Sequence, residues 1–266
     1  MLEVHVLASG SDGNCTVIES DGEAIMIDAG ISCRKILKQM EQEGVDKECI
    51  KAILLTHEHS DHVSGAGATA RKLGVPIMCN QPTFNELSLG NVDFVPFDPS
   101  RSFDVGQFHV TPLPTMHNAV QPNAFFTEVD DKKVLLATDT GTFTFPIMEA
   151  LKQADIAVVE ANYDNMMLVE GPYPPALKKL IGSDRGHMCN VDTAMAIRRT
   201  MTDARRQLFL AHLSRTNNEP DIARETVAEI TGIKRMTIVG RMPGMVICST
   251  CWKRFAPSMR AASYCS

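Results

Sequence analysis

The chain alternates short apolar runs with polar, turn-rich segments, and the period of each run predicts its element. LEVHVLA (2–8), CTVIES (15–20) and AIMIDAG (24–30) have the length and β-branched content of strands, joined by the turn sequences SGSDGN and SDGE. SCRKILKQMEQEG (32–44) has helical spacing and ends in glycine, KAILLT (51–56) is a buried-strand run, and VSGAGATARKLG (63–74) predicts a helix stopped at Gly74. Further strands are expected at 76–79, 92–97, 107–113, 123–129 and 133–138, the last pair joined by the hairpin signal DDKK. A helix at 145–153 then leads to the strand DIAVVEA (155–161) and an irregular segment rich in Pro and Gly. A helix at 191–202, the strand QLFLAHLS (207–214), a helix at 219–231 and the strand MTIVG (236–240) complete the pattern.

This order mixes hairpins with βα units and carries an internal echo. AIMIDAG and VLLATDTG are both apolar strands that end in Asp-x-Gly. Two similar β-rich halves with helices outside predict two sheets packed face to face, an α/β layered fold rather than a doubly wound sheet.

Composition narrows the class. With 44% hydrophobic and 22% charged residues in 266, the chain can bury a sizeable core. No apolar run is long enough for a membrane span, and the N-terminus carries Glu3 in place of a basic n-region. Eight cysteines at irregular spacings do not form a disulfide framework, so a reduced, soluble, cytoplasmic protein is expected. The net charge of −6 argues against a globally basic nucleic-acid binder. Residues 241–266, however, hold Arg241, Lys253, Arg254 and Arg260 and no acid. The expected division is one domain over 1–246 and a basic, Cys-containing tail over 247–266.

The segment LLTHEHSDHVSG (54–65) concentrates the chemistry. His57 and His59 leave a buried strand two residues apart, so both side chains point the same way. Asp61 and His62 follow at the turn into the next helix and can point back at the same space. Imidazoles and carboxylates at this density suit a borderline divalent metal, with enough ligands for two. Further ligands should come from other strand ends, where His117, Asp139 and His212 lie.

HEHSDH, His117, Asp139 in TDTG and His212 recur in the order of the metallo-β-lactamase superfamily, which the chain resembles. The resemblance implies a four-layer αββα sandwich. It implies that His57, His59 and His117 bind one metal, that Asp61, His62 and His212 bind the other, and that Asp139 bridges. Glu58 is expected to face solvent or to orient a neighbour. LASGSDGNCTVIE, IDAGIS, THEHSDHVSG, TDTG, YPPALKKLIGSDRGHMCN and LAHLSRTNNE together resemble the YycJ/WalJ-like branch, typified by a bacterial 5′-to-3′ DNA exonuclease. That match covers the chain to about residue 240.

The expected activity is therefore phosphodiester hydrolysis, most concretely 5′-to-3′ DNA digestion by a metal-bridging hydroxide. The cofactors would be two divalent ions, and Mn²⁺, Zn²⁺ and Fe²⁺ all accept this donor set. Residual positive charge at such a centre suits an anion whose charge grows during reaction. Asp61, His187 and Glu160 are the catalytic candidates: by analogy with tRNA 3′-processing relatives, His187 would be the general acid, oriented by Glu160. Asn190 reads as the N-cap of the following helix, whose free N–H groups would offer a phosphate site beside His187. Lys178, Lys179 and Arg185 upstream, and Ser11 and Asn14 in the first turn, complete the substrate-binding candidates. The partner would be DNA, with RNA or a small phosphodiester as alternatives, and no membrane. Thioester or lactone hydrolysis and a non-catalytic metal-binding role are further alternatives on the same fold.

Two positions depart from the branch: Cys189 stands where it has a serine before Asn190, and Tyr163-Asp164 where it has His-Asp. Asp28 is expected to support a ligand histidine. His5 and His109, inside strands without obvious companions, read as ordinary structural residues. Cys248-x-x-Cys251 lacks the second pair that would mark a zinc site.

Overall fold

A computed structural model describes residues 1–200, 206–233, 236–238 and 245–248. The strands of the first half are β1 (Leu2–Ala8), β2 (Cys15–Ser20), β3 (Glu23–Ile27), β4 (Ile50–Leu54), β5 (Ile77–Cys79) and β6 (Phe94–Pro96). Those of the second are β7 (Phe103–Val105), β8 (Phe108–Pro114), β9 (Asn123–Val129), β10 (Lys132–Ala137), β11 (Ile156–Glu160), β12 (Gln207–Ala211), β13 (Thr237–Ile238) and β14 (Met245–Cys248). The helices are α1 (Cys33–Glu43), α2 (Ser60–Val63), α3 (Ala66–Leu73), α4 (Gln81–Asn85), α5 (Phe145–Gln153), α6 (Asn165–Glu170), α7 (Pro175–Ile181), α8 (Asn190–Thr200) and α9 (Pro220–Thr231).

Two sheets of seven strands form, ordered β14-β1-β2-β3-β4-β5-β6 and β13-β12-β11-β10-β9-β8-β7. Each has the same grammar: three antiparallel pairings from one edge, then three parallel ones. β3 and β10 hold the fourth place in their sheets, where the pairing changes from antiparallel to parallel. They are the strands that end in Asp-x-Gly, so the echo in the sequence is a repeat of the fold.

Strand alternation builds the layers. On β10, β11 and β12, Val134, Leu136, Ile156, Val158, Phe209 and Ala211 join the core shared with the first sheet. Their neighbours Leu135, Ala137, Ala157, Val159, Leu208 and Leu210 join a second core with Ile147 and Leu151 of α5, Ile197 of α8 and Val227 of α9. On the far side, Ile36 and Met40 of α1 and Ala66 and Ala70 of α3 cover the first sheet. The result is helix, sheet, sheet, helix, the αββα order expected. Each fully buried Ile, Leu or Phe contributes about 1.5–3 kcal/mol, which favours this layering over any register that would turn a face outward.

The structure differs from the pattern reading in four places. The irregular Pro/Gly segment holds α6 and α7, short amphipathic pieces with Leu168 buried and Val169 and Leu177 exposed. α4 and β7 also escape the pattern, at five and three residues too short to show a period. QLFLAHLS stops pairing at Ala211, because His212 takes a left-handed backbone with φ of 56°. MTIVG is not the last strand: β14 returns antiparallel to β1, with Val4 opposite Ile247. The expected division after residue 246 falls inside β14, and residues 249–266, with Cys251, Cys265 and most of the basic tail, lie outside the described ones. No helix among the described residues is long and apolar enough to cross a membrane.

Candidate metal centre and active site

The centre gathers where four strands end. β4 delivers His57 and His59, and α2 turns Asp61 and His62 back toward them. That return is enforced by backbone contacts: Asn14 N donates to Asp61 O at 2.7 Å, and Ala29 N donates to His62 O at 2.8 Å. A Cβ at Gly30 would fall 1.7 Å from Asp61 O, so only glycine lets the two segments touch. The second Asp-x-Gly works alike: a Cβ at Gly141 would fall 2.3 Å from Ser183 O, in the loop that leads to His187. Asp28, Asp139 and His212 all have φ near +60° (60°, 56° and 56°). Such backbone is costly for side-chain-bearing residues and persists where the surroundings fix it, commonly at functional sites.

Three groups of potential ligands result; the third, Asp139, Glu160, His187 and His212, overlaps the second, and the other two match the expected sets. His57, His59 and His117 form the first, and Asp61, His62, Asp139 and His212 the second, with candidate ligand atoms within 4.8 Å of one another in each. Asp139 also reaches toward the first set, its Oδ1 lying 3.8 Å from His117 Nε2. The same atom is 3.5 Å from His212 Nε2, while Oδ2 is 3.2 Å from His62 Nε2. Buried His57 Nε2, His212 Nε2 and Asp139 Oδ2 have no hydrogen-bond partner. Orphaned buried polar atoms that converge from three strands cost stability in an ordinary core, and they suit divalent cations well.

At four of the five candidate histidines the remote ring nitrogen is spoken for, which fixes the one that would ligate. Asp28 Oδ2 accepts from His62 Nδ1 at 2.7 Å and from Thr56 Oγ1 at 2.9 Å, and Thr56 Oγ1 in turn accepts from His57 Nδ1 at 2.9 Å. His117 Nδ1 donates to Gly186 O at 3.0 Å. His212 Nδ1 donates to Glu160 Oε1 at 3.2 Å, and Asn162 Nδ2 donates to His212 O at 2.8 Å. Asp28 therefore supports one histidine in each set, a broader task than the single partner expected. Thr56 and Asn162 went unnoticed in the sequence. The signal for Thr56 is its place between strand and first ligand; Asn162 carries none.

The charges divide between the sets. Burial holds His57 well below the usual imidazole range, with the His62 charge adding to it, and burial likewise lowers His117. Burial also opposes charge on His62 and His212, but carboxylates overcome it. Asp139 and Asp28 raise His62, while Asp139, Asp61 and Glu160 push His212 up to about 10. Asp61 and Asp139 are held well below the carboxylate range despite burial, by the charged His212 and His62 rings beside them. In the first set, burial thus favours the neutral imidazole at His57 and His117. The second already concentrates positive charge between two carboxylates, which a divalent cation would replace.

His187 closes the centre. Its Nδ1 lies 2.6 Å from Glu160 Oε1, the oxygen that also takes His212 Nδ1, and Glu160 Oε2 accepts from Thr140 N at 2.9 Å. Glu160 is fully buried and His187 side-chain exposure is 20%. Burial works against protonating His187, yet the Glu160 charge and bond raise it above its ordinary value. The structure thus brings His187 and Glu160 to the metal ligands.

The substrate-binding candidates scatter. Asn14 is at the centre, its Nδ2 3.0 Å from His62 Nε2 and 3.4 Å from Asp61 Oδ2. Arg185 donates to His117 O at 3.3 Å and lines a cavity of about 770 Å³ with Glu58, Val120, Leu180 and Asp184. Glu58 itself accepts from Val120 N at 2.8 Å, so it anchors the cavity wall. Ser11 is exposed on the first turn. Lys178 is spent on Val169 O at 2.6 Å, and Lys179 is exposed on the same helix.

Asn190 corrects the reading made from the sequence. It is fully buried as the first residue of α8 and exchanges amide bonds with Asn218, at 3.0 and 2.9 Å. The cap is Cys189, whose Sγ accepts from Asp192 N at 3.3 Å and donates to Asp192 Oδ2 at 3.2 Å. This reciprocal bond is a thiol version of the capping box, and it fills the helix terminus where a phosphate site was expected. The two departures from the branch also meet: Tyr163 and Cys189 form a parallel bridge and share a small buried cluster with Leu168.

An αββα sandwich with a His/Asp centre at the strand ends defines a metal-dependent hydrolase. The chain belongs to the metallo-beta-lactamase superfamily, whose sequence profile matches residues 8–199. It is 35% identical over 237 residues to exodeoxyribonuclease YycJ of Bacillus anthracis, covering 86% of this chain and 89% of that one. It is 36% identical to exodeoxyribonuclease WalJ of Streptococcus pneumoniae, over 84% and 85% of the two chains. Among solved structures, the metallo-beta-lactamase fold protein YhfI from Bacillus subtilis matches with a TM-score of 0.73 at 18% identity, over 92% of this chain and 98% of that one. The short form of human tRNase Z matches with a TM-score of 0.64 at 16% identity, over 94% and 100%. These two likenesses concern the fold alone.

Proposed function

We propose that the protein is a dinuclear metal-dependent phosphodiesterase that digests DNA from the 5′ end. The observation that carries this reading is His187 held on Glu160 beside a complete set of His/Asp ligands. A hydrolase acting on an acyl carbon needs only the ligands. A phosphodiesterase also gains from a proton donor for the leaving alkoxide, and a histidine fixed at one nitrogen by a buried carboxylate is suited to that work. The identity to YycJ and WalJ, named as exodeoxyribonucleases, supports DNA as the substrate.

His57, His59 and His117 would hold one ion and Asp61, His62 and His212 the other, with Asp139 between them. When bound, the ions supply Lewis acidity and a nucleophile at neutral pH. Glu160 fixes the His187 ring and favours its charged form, so that Nε2 holds the proton needed by the departing oxygen. Glu160 also keeps His212 in the tautomer that leaves Nε2 free, coupling ligand and acid through one carboxylate. Arg185 and the cavity beside His117 would take the strand that continues from the cleaved phosphate.

The test is digestion of single-stranded DNA labelled at either end, with Mn²⁺, by the wild type, His187→Asn and the double variant Asp61→Ala/His62→Ala. Mononucleotides released progressively from the 5′ end, slowed in the first variant and abolished in the second, are expected. Hydrolysis of bis-p-nitrophenyl phosphate with DNA left intact would overturn the DNA reading in favour of a small-molecule phosphodiesterase.

A further inference from the structure

Asn14 ends the turn SGSDGN, and two backbone contacts fix where it stands. Its N donates to Asp61 O at 2.7 Å, and its O accepts from Gly30 N at 2.8 Å. The residue is 7% exposed. The sense of its amide is fixed as well. Gly10 N donates to Asn14 Oδ1 at 2.9 Å, and of the two ends of an amide only the oxygen can accept. The NH₂ end therefore faces the second ligand set, 3.0 Å from His62 Nε2, 3.4 Å from Asp61 Oδ2 and 3.3 Å from Asp61 O.

The spacing shows what place this group holds. His62 Nε2 and Asp61 Oδ2 are themselves 3.5 Å apart, so the three side-chain atoms make a triangle with sides of 3.0, 3.4 and 3.5 Å. Donors bound at about 2.0–2.2 Å to one four- to six-coordinate ion stand about 2.8–3.6 Å from one another. Asn14 Nδ2 thus has the spacing of a further ligand without the chemistry of one. An amide NH₂ carries two donor hydrogens and no lone pair to give, and those hydrogens repel a cation. Aspartate at the same position would keep the Gly10 bond and turn an oxygen toward His62 and Asp61.

Resting on the two-ion reading above, we propose that Asn14 holds down the affinity of the second metal position and keeps its ion exchangeable. An uncharged amide, clamped by Gly10, stands where a third carboxylate would complete a tight site beside Asp61 and Asp139. Affinity in such oxygen-rich sites is tuned by the number of charged ligands. The occupancy of the second set, and with it any two-ion chemistry, then follows the supply of the cation.

The experiment is a Co²⁺ titration of the full chain after chelator treatment, followed by the visible d–d bands and by competition with a chromophoric chelator. Asp61→Asn identifies the step that belongs to the second set by weakening it. Asn14→Asp is expected to tighten that step about tenfold or more and to leave the other step unchanged. It should also lower the band intensity of that step, as an added ligand does to four-coordinate Co²⁺. Asn14→Ala adds no charge and removes the amide hydrogens, and it should tighten the same step by a smaller factor. Steps in Asn14→Asp that superimpose on those of wild type, an equal tightening of both, or a weakened step in Asn14→Ala would overturn the proposal and leave Asn14 as the cap of its turn. One bound equivalent in wild type and Asn14→Asp alike would overturn the two-ion reading itself, and this inference with it.

Discussion

Asp28→Asn is the sharpest probe of how the centre is held. Asparagine keeps the size of the side chain and tolerates the left-handed backbone at this position, where φ is 60°. The oxygen that accepts from Thr56 N at 2.9 Å can remain an oxygen. The other atom becomes an NH₂ group facing His62 Nδ1 at 2.7 Å, two donors in contact. His62 escapes only by moving its proton to Nε2, the nitrogen that would face the metal. Losing such a partner weakens metal affinity about 10–100-fold, or about 1.4–2.7 kcal/mol. The set holding His62 should lose the full amount, and the His57 set less, because Thr56 Oγ1 still stands between. Competition with a chromophoric chelator would resolve two affinities. Equal loss in both sets, or wild-type affinity in both, would refute the argument that Asp28 acts through the tautomer of His62.

The remaining predictions use the same geometry. His187→Asn should lower kcat about 10²–10⁴-fold while metal content, measured by elemental analysis, stays at the wild-type level. Glu160→Gln should lower both, because its Oε1 serves His187 and His212 together. Gly30→Ala should abolish metal binding or soluble expression, since its Cβ would need the space of Asp61 O, 1.7 Å away; circular dichroism and chelator competition would tell. Burial pushes the Cys79 thiol up to about 12 from 9.0, so the unfolded chain ionises it first and stability falls as pH rises above 9. At pH 10 the loss is about 1.4 kcal/mol, seen as a smaller difference between pH 8 and pH 10 urea melts in Cys79→Ala than in wild type.

The sequence by itself determined the elements long enough to express a period and the candidate ligands that sit where those elements end. HEHSDH, His117, Asp139 and His212 were legible as one cluster because a strand that ends in a polar, ligand-type residue shows both its apolar run and the break. Asp-x-Gly occurring twice was legible as a repeat, and it proved to mark the matching strand in each sheet. Only the tertiary structure decided what each polar side chain meets. Asn190 suits a helix cap by local rule, yet it is paired with Asn218, 28 residues away, and a cysteine does the capping. Lys178 has the right charge for a phosphate but bonds a backbone carbonyl. His5 looked solitary because Glu19, whose Oε2 is 3.4 Å from its Nε2, belongs to the next strand. β14 could not be assigned to β1 from either segment, because pairing across the length of the chain leaves no periodic trace in either partner. Periodicity records which face of an element is buried, and partners are chosen by the packing of faces against one another.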